Sequence, residues 1–266
     1  MKFFSIGSGS SGNCYCLYNE DHSCLMIDCG LGIRAIKKAF REKGLTLSDV
    51  RAIIVTHAHA DHVKSVGSFC QDLLVPVYAT KETHDGIHTN IYVHRKVPGN
   101  LGRCITVGEE FTIDDFHITA FDVPHDCKGH VGYCIECEGV VFTIVTDCGH
   151  ITDTIRQYIS SSDYLVLESN YDLGMLHHGP YPPRLKGRII SDMGHLDNRI
   201  TGLELAQHAT PRLRHVWLCH LSQENNTPEQ AFATVSGELR AHGIIAGKDF
   251  LLDVLQRKTP SNLFEL

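Results

Sequence analysis

The sequence predicts an α/β protein. Three observations lead there: short apolar runs rich in β-branched residues, amphipathic helical patterns set among them, and a polar, chemistry-bearing residue directly after run upon run. The run Ala52-Ile53-Ile54-Val55 reads as a buried strand that delivers Thr56-His57-Ala58-His59-Ala60-Asp61-His62 onto the loop beyond it. In α/β proteins, chemistry collects at such strand ends.

Composition bounds the rest. The 266 residues, 42% of them hydrophobic, suffice for a full core, and a single domain over residues 1–266 is expected. A net charge of -7 excludes a global positive field that would draw the protein onto nucleic acid or acidic lipid, so any contact with a polyanion must be local. The opening Met1-Lys2-Phe3-Phe4-Ser5-Ile6-Gly7 reads as a strand without the apolar core or cleavage site of an export signal. With no apolar run long enough to span a bilayer, the expectation is a cytoplasmic protein with no membrane partner. The 11 cysteines are odd in number and irregularly spaced, and read as reduced thiols. Cys134-Ile135-Glu136-Cys137 has no second pair to complete a zinc site and reads as packing in a strand that turns at Glu138-Gly139.

In chain order, Gly7-Ser8-Gly9-Ser10-Ser11-Gly12-Asn13 is a turn whose backbone N–H groups and side chains Ser8, Ser10, Ser11 and Asn13 suit an anion such as phosphate. A hairpin follows, Cys14 to Tyr18 and Ser23 to Ile27, ending in Asp28; a carboxylate there needs a partner, and the metal-site histidines are candidates to supply a ring N–H. Gly32 to Lys43 is an amphipathic helix closed by Gly44, Val63 to Leu74 a helix, and Val75 to Tyr78 a strand. His84 and His88 have no flanking carboxylate and read as surface residues. Phe111 to Ile113 and Phe116 to Val123 form a hairpin that delivers Pro124-His125-Asp126, Val140 to Val145 a strand ending at Asp147, and Val216 to Cys219 a strand leading to His220. Tyr164 to Leu167 is a further strand, running into Glu168. Ile200 to His208 and Thr227 to Gly243 are helices, the latter with Thr227 as cap and Pro228 at its first position, and Phe250 to Leu255 closes the chain as a strand.

Imidazole nitrogens and carboxylate oxygens are ligands that suit zinc, manganese or iron. The side chains of His57, His59, Asp61 and His62 lie too close in sequence to converge on one ion, so two neighbouring ions are the natural reading. The competing reading is a histidine-rich surface turn in a chain that carries 18 histidines. Asp28, the cluster from His57 to His62, His125, Asp147 and His220 each follow a strand, a regularity that a surface turn does not explain.

That ordered set resembles the metallo-β-lactamase-fold hydrolases over essentially the whole chain. The resemblance implies an αββα four-layer sandwich with a two-metal site at one edge. In it His57, His59 and His125 would hold the first ion, Asp61, His62 and His220 the second, and Asp147 would bridge them. A bridging Asp is usual in thioesterases and phosphodiesterases of the fold and unusual in its true β-lactamases. Glu168-Ser169-Asn170 and Gly194-His195-Leu196 are similar to paired segments of the fold's tRNA 3′-processing nucleases, in which the Glu orients a His that protonates the leaving group.

Together with Gly7 to Asn13 and the run from Cys219 to Asn226, these segments resemble the YycJ/WalJ (VicX) family; Tyr171 and Asp197 depart from its pattern, where His and Ser are more usual. What that family implies is a dinuclear phosphodiesterase with Zn²⁺ or Mn²⁺, iron being compatible, that uses a metal-bridging hydroxide as a 5′→3′ exonuclease on DNA rather than RNA. Asp61, His195 and Glu168 would be its catalytic residues, and Arg184, Lys186 and Arg188 would touch the nucleic-acid backbone. A glyoxalase II type thioesterase and an RNA-processing nuclease are the alternatives, and oligomeric state is not legible.

Overall fold

Which face each strand residue turns to a neighbour decides the architecture. A computed structural model describes residues 1–266. One sheet contains β1 (Lys2–Gly7), β2 (Cys14–Tyr18), β3 (Cys24–Ile27), β4 (Val50–Ile54), β5 (Val77–Ala79) and β6 (Gly102–Cys104) in sequential order, with β14 (Phe264–Glu265) beside β1. The other contains β7 (Glu110–Ile113), β8 (Phe116–Asp122), β9 (Val131–Cys137), β10 (Val140–Val145), β11 (Tyr164–Glu168), β12 (His215–Cys219) and β13 (Leu251–Val254), again in order. Each sheet is antiparallel at its start and turns parallel, at β3–β4 in one and at β10–β11 in the other. The helices are α1 (Ile33–Glu42), α2 (Ala60–Val63), α3 (Val66–Leu73), α4 (Lys81–Thr89), α5 (Asp153–Ser161), α6 (Leu173–His178), α7 (Pro183–Ile190), α8 (Asn198–His208) and α9 (Pro228–Ala241).

Strand alternation produces three apolar layers of nearly equal size. In β2 and β3, Tyr15, Leu17, Leu25 and Ile27 join Phe142, Tyr164 and Trp217 of the other sheet in a 23-residue core between the sheets. Their neighbours Cys14, Cys16, Cys24 and Met26 turn the other way, into 24 buried residues shared with α1, α3 and α4. A third set of 22 lies between the second sheet and α5, α8 and α9. Helix, sheet, sheet and helix therefore stack as a four-layer sandwich, with both faces of each sheet buried, which is why the strands read as continuous apolar runs. No helix is long and apolar enough to cross a membrane.

The cysteines act as small apolar fillers: all are unpaired and most are buried. Cys134 and Cys137 lie in different apolar layers on opposite faces of β9, so they cannot share an ion. His84 and His88 sit on the outside of α4, and the His84 ring nitrogen Nε2 is 3.0 Å from the Arg103 carbonyl.

Two expectations differ: the strand at Leu251–Val254 does not close the chain, which ends in β14 beside β1, and one helix is divided. The helix expected over Val63–Leu74 is broken into α2 and α3, and its first turn begins earlier, within the histidine motif. The Ser65 N–H bonds to the carbonyl of Cys29 at 2.9 Å, away from the axis that α2 would continue. The break fastens the motif to the end of β3, where Cys29 N–H also donates to His62 O at 2.7 Å. Gly30 makes this approach possible: a Cβ built on it would lie 1.6 Å from the Asp61 carbonyl oxygen. The Gly30→Ala substitution is expected to cost about 3 kcal/mol or more, because backbone must move to admit it. Denaturant unfolding is the check, and metal uptake should fall with stability, since the displaced turn, α2, carries Asp61 and His62.

Candidate metal centre

Every predicted ligand leaves the C-terminal end of a strand, at one edge of the two sheets. Asp28 follows β3, Asp147 lies just beyond β10, Glu168 ends β11, and His220 follows β12 directly. Asp28, Asp147 and His220 adopt positive φ values of 58°, 53° and 54°, a region non-glycine residues occupy at a cost of about 1–3 kcal/mol each. The surroundings hold them there. His220 N–H donates to Ser8 Oγ at 2.8 Å, and its carbonyl accepts from Asn170 Nδ2 at 2.7 Å.

The motif on the β4–α2 connection sends its side chains two ways because its backbone changes conformation. His57 and His59 lie two residues apart on extended chain (His59 φ -65°, ψ 147°), so they point to one side, where His125 meets them; His59 Nδ1 is 3.3 Å from His125 Nε2. Asp61 and His62 sit on the helical turn and point toward His220. Asp61 Oδ2 lies 3.6 Å from His62 Nε2 and 3.5 Å from His220 Nε2. Asp147 stands between the halves, with Oδ2 3.0 Å from His62 Nε2 and Oδ1 3.8 Å from His125 Nε2. The donor atoms of His57, His59 and His125 fall within 4.8 Å of one another, as do those of Asp61, His62 and His220.

Asp28 has the partner its position demanded. Its carboxylate is 2.7 Å from His62 Nδ1 and accepts from the N–H and hydroxyl of Thr56, at 2.8 Å and 2.9 Å. This fixes the His62 ring with Nε2 toward the site. Glu168, fully buried, plays the same part for two rings. Its Oε1 is 2.9 Å from Nδ1 of both His195 and His220, while Oε2 accepts the N–H groups of Cys148 and Leu196 at 2.8 Å and 3.1 Å. Asp197 caps α8 by accepting from the N–H of Arg199 and Ile200. The cap and the Glu168–His195 contact thus coexist two residues apart.

The expected anion loop is divided. Ser8 and Asn13 are buried and their side chains are hydrogen-bonded within the protein. Ser8 Oγ bonds Tyr15 Oη at 2.8 Å and accepts from His220 N–H. Asn13 Oδ1 accepts from Gly9 N–H at 2.8 Å, and its Nδ2 is 2.9 Å from His62 Nε2. Ser10 and Ser11 remain at the surface. On α7, Arg184 is exposed, Lys186 Nζ donates to the His177 carbonyl at 2.8 Å, and Arg188 pairs with Asp126. Sequence reasoning passed over Asp126, although it sits beside His125 in the chain. It also passed over His130, a buried ring 4.4 Å from His57 whose two nitrogens have no partner. No spacing singles out either one.

Charge is unevenly spread across the two halves. Burial, reinforced by neighbouring histidines, holds His57 and His59 below the usual imidazole range; burial and the charge of His195 do the same for His125, against the pull of Asp147. The shifts favour neutral rings, the form a metal ligand requires. Burial also works against charge on His62 and His220, but Asp28 and Asp147 outweigh it at His62. Asp147, Asp61 and Glu168 outweigh it at His220, whose pKa rises to about 10. Asp61, Asp147 and Glu168 are held low by the facing histidines despite their burial. The residues fit divalent ions on a concrete ground: His57 Nε2 is buried without any hydrogen-bond partner, in a ring of nitrogen and oxygen donors.

The sign of the pH dependence follows for the chelated protein. His62 and His220 have raised folded values, so their contribution to stability is complete below about pH 6.5 and is lost as pH rises through those values. The carboxylates have depressed values, so theirs is present above about pH 4 and is lost on acidification. With metal removed, the melting temperature should decline from about pH 6.5 toward 10. A metal-loaded sample, in which ions replace those protons, should show no such decline. Parallel melting curves with and without chelator decide it.

Comparison with known proteins places this geometry. Residues 24–221 match the family described as Beta-lactamase superfamily domain. Exodeoxyribonuclease YycJ of Bacillus anthracis is 32% identical over 99% of this chain and 98% of its own, and Exodeoxyribonuclease WalJ of Streptococcus pneumoniae is 30% identical over 100% and 98%. Among solved structures, the metallo-β-lactamase fold protein YhfI of Bacillus subtilis superposes with a TM-score of 0.71 at 15% identity, covering 98% of each chain. The chain therefore belongs to the metallo-β-lactamase superfamily, within it to the YycJ/WalJ group, and is a metal-dependent hydrolase.

Proposed function

We propose that the chain is a dinuclear phosphodiesterase that degrades nucleic acid, DNA before RNA, as a 5′→3′ exonuclease. The observation that carries this reading is the shared Glu168 oxygen, which sets a part-exposed imidazole, His195, beside His220 of the candidate metal site. A departing sugar oxygen is a poor leaving group and needs a proton; a thiolate does not. The full-length relatives bear the name exodeoxyribonuclease, which favours DNA. Unpaired cysteines accord with a reducing cytoplasmic setting.

His57, His59 and His125 would hold one divalent ion and Asp61, His62 and His220 the other, with Asp147 shared; zinc and manganese suit these donors, and iron is compatible with them. When bound, such a pair supplies an acidified water and positive charge for the phosphoryl oxygens. The protein's own groups do the rest. Asp61, the most solvent-accessible of these carboxylates after Asp126, is placed to take up or orient the proton of the attacking water. Glu168 holds His195 by Nδ1, so that Nε2 is the nitrogen left to protonate the leaving oxygen. Asp28 and Glu168 keep His62 and His220 in single tautomers throughout.

Replacing His195 by Ala should lower turnover on single-stranded DNA by about 10²- to 10⁴-fold, the range of one positioned acid. It should have a much smaller effect on bis-p-nitrophenyl phosphate, whose nitrophenolate departs unaided. Assays on single- and double-stranded DNA, RNA and an acyl-glutathione, with zinc and with manganese, complete the test. Thioester hydrolysis that survives the substitution, with no DNA cleavage by the parent protein, would reject the reading.

A further inference from the structure

The rim of the site carries a bridge between the first-metal histidines and α7. Asp126 Oδ1 lies 3.3 Å from His125 Nε2 and 3.7 Å from His59 Nε2, while its other oxygen, Oδ2, accepts from Arg188 Nε. One carboxylate therefore spans the triad and a guanidinium. The backbone of Arg188 is fixed from the opposite side: a Cβ on Gly194 would lie 2.4 Å from the Arg188 carbonyl oxygen, and His195 N–H donates to Ile189 O at 2.9 Å. The Gly194 carbonyl is in turn 3.0 Å from His125 Nδ1. Arg188 is held to the site through its side chain and its main chain alike.

Only Nε of Arg188 is used in these contacts, and the side chain is half exposed. A guanidinium offers five N–H donors in a rigid fork that matches a phosphoryl group. Its two terminal nitrogens find no acceptor within the protein. Besides Asp126, it lies in the field of Asp147 and Asp61, the carboxylates of the candidate metal site. Arg184 and Lys186, on the same helix, lack this placement: one is exposed and the other is tied to His177.

We propose that Arg188 is the phosphoryl clamp of this site, donating from its terminal nitrogens to a non-bridging oxygen of the scissile phosphate, and that Asp126 is the positioning residue that aims it. The proposal rests on the phosphodiesterase reading above and names a part within it. Asp126 accepts from Nε, which anchors the guanidinium beside the site and leaves both terminal nitrogens free to donate. A lysine, with no fork, would offer charge without that aim.

The test uses the metal-loaded full chain, with Arg188→Met, Arg188→Lys, Asp126→Asn and the Asp126→Asn/Arg188→Met double variant. Inorganic phosphate binding, followed by calorimetry, and kcat/KM on single-stranded DNA are measured beside melting temperature and metal content. Arg188→Met should weaken phosphate binding and lower kcat/KM by about 10- to 100-fold, the worth of a charge-assisted hydrogen bond. Arg188→Lys should recover only part of this. Asp126→Asn should reproduce most of the loss with metal content unchanged, and the double variant should be no worse than Arg188→Met, because the two act as one unit. Phosphate affinity and kcat/KM within twofold of the parent in Arg188→Met would overturn the clamp. Additive losses in the double variant, or loss of metal in Asp126→Asn, would overturn the positioning role. If the parent cleaves no nucleic acid while Arg188→Met still loosens phosphate, the phosphodiesterase reading fails, the scissile-phosphate role falls with it, and Arg188 is left as a phosphate-binding residue.

Discussion

Three carboxylates, Asp28, Asp147 and Glu168, are buried at the edge of the two sheets, and much of the surrounding structure exists to compensate them. Hiding a carboxylate from water costs several kcal/mol unless charge and hydrogen bonds replace the lost hydration. Asp28 receives Thr56 and His62, Glu168 receives two backbone N–H groups and two imidazoles, and Asp147 lies among His62, His125, His195 and His220. Imidazoles drawn in to meet carboxylates are also imidazoles aimed by them. The same contacts that make burial tolerable fix the ring orientations an ion would need.

The fold delivers these groups by a repeated device. Strands buried on both faces are rigid, and β3 and β4 in one sheet and β8, β10, β11 and β12 in the other run in a common sense within their sheet, so side chains just past them share one edge whatever their distance in sequence. Positive φ at Asp28, Asp147 and His220 turns the chain sharply there, redirecting each side chain into the edge. The strain is offset locally. Asn170 and Ser8 grip the His220 backbone from either side, which explains why two residues of polar loops are wholly buried.

That economy marks what could be read from the sequence. The strand ends and the histidine motif were legible because β-branched runs and metal-ligand chemistry are local signals, and the amphipathic spacing of α1 and the Thr227 cap of α9 are equally local. The split between α2 and α3 was not legible: it depends on Cys29 capturing the Ser65 N–H from a different strand. The inward contacts of Ser8 and Asn13 were not legible for the same reason. A Gly/Ser turn looks like an anion cradle until the fold brings His220 and His62 against it. Asp126 went unnoticed because its role comes from Arg188, 62 residues later, and nothing in the spacing links them.

A single oxygen, Oε1 of Glu168, ties the two halves of the chemistry together. Once His220 turns Nε2 toward an ion, its Nδ1 must carry the proton and donate to Oε1. The same oxygen has lone-pair capacity for a second donor, and His195 Nδ1–H fills it, leaving His195 Nε2 as the only ring position from which a proton can be given up or regained. In the proposed mechanism, metal ligation at His220 and acid function at His195 would therefore both be set by one acceptor. A glutamine here would offer one oxygen and no negative charge, and its amide nitrogen would confront either the Cys148 and Leu196 N–H groups or both imidazoles. Either way both rings or both backbone donors lose their acceptor. Only a carboxylate satisfies four donors from two sides, which is a physical reason for a glutamate at the end of β11.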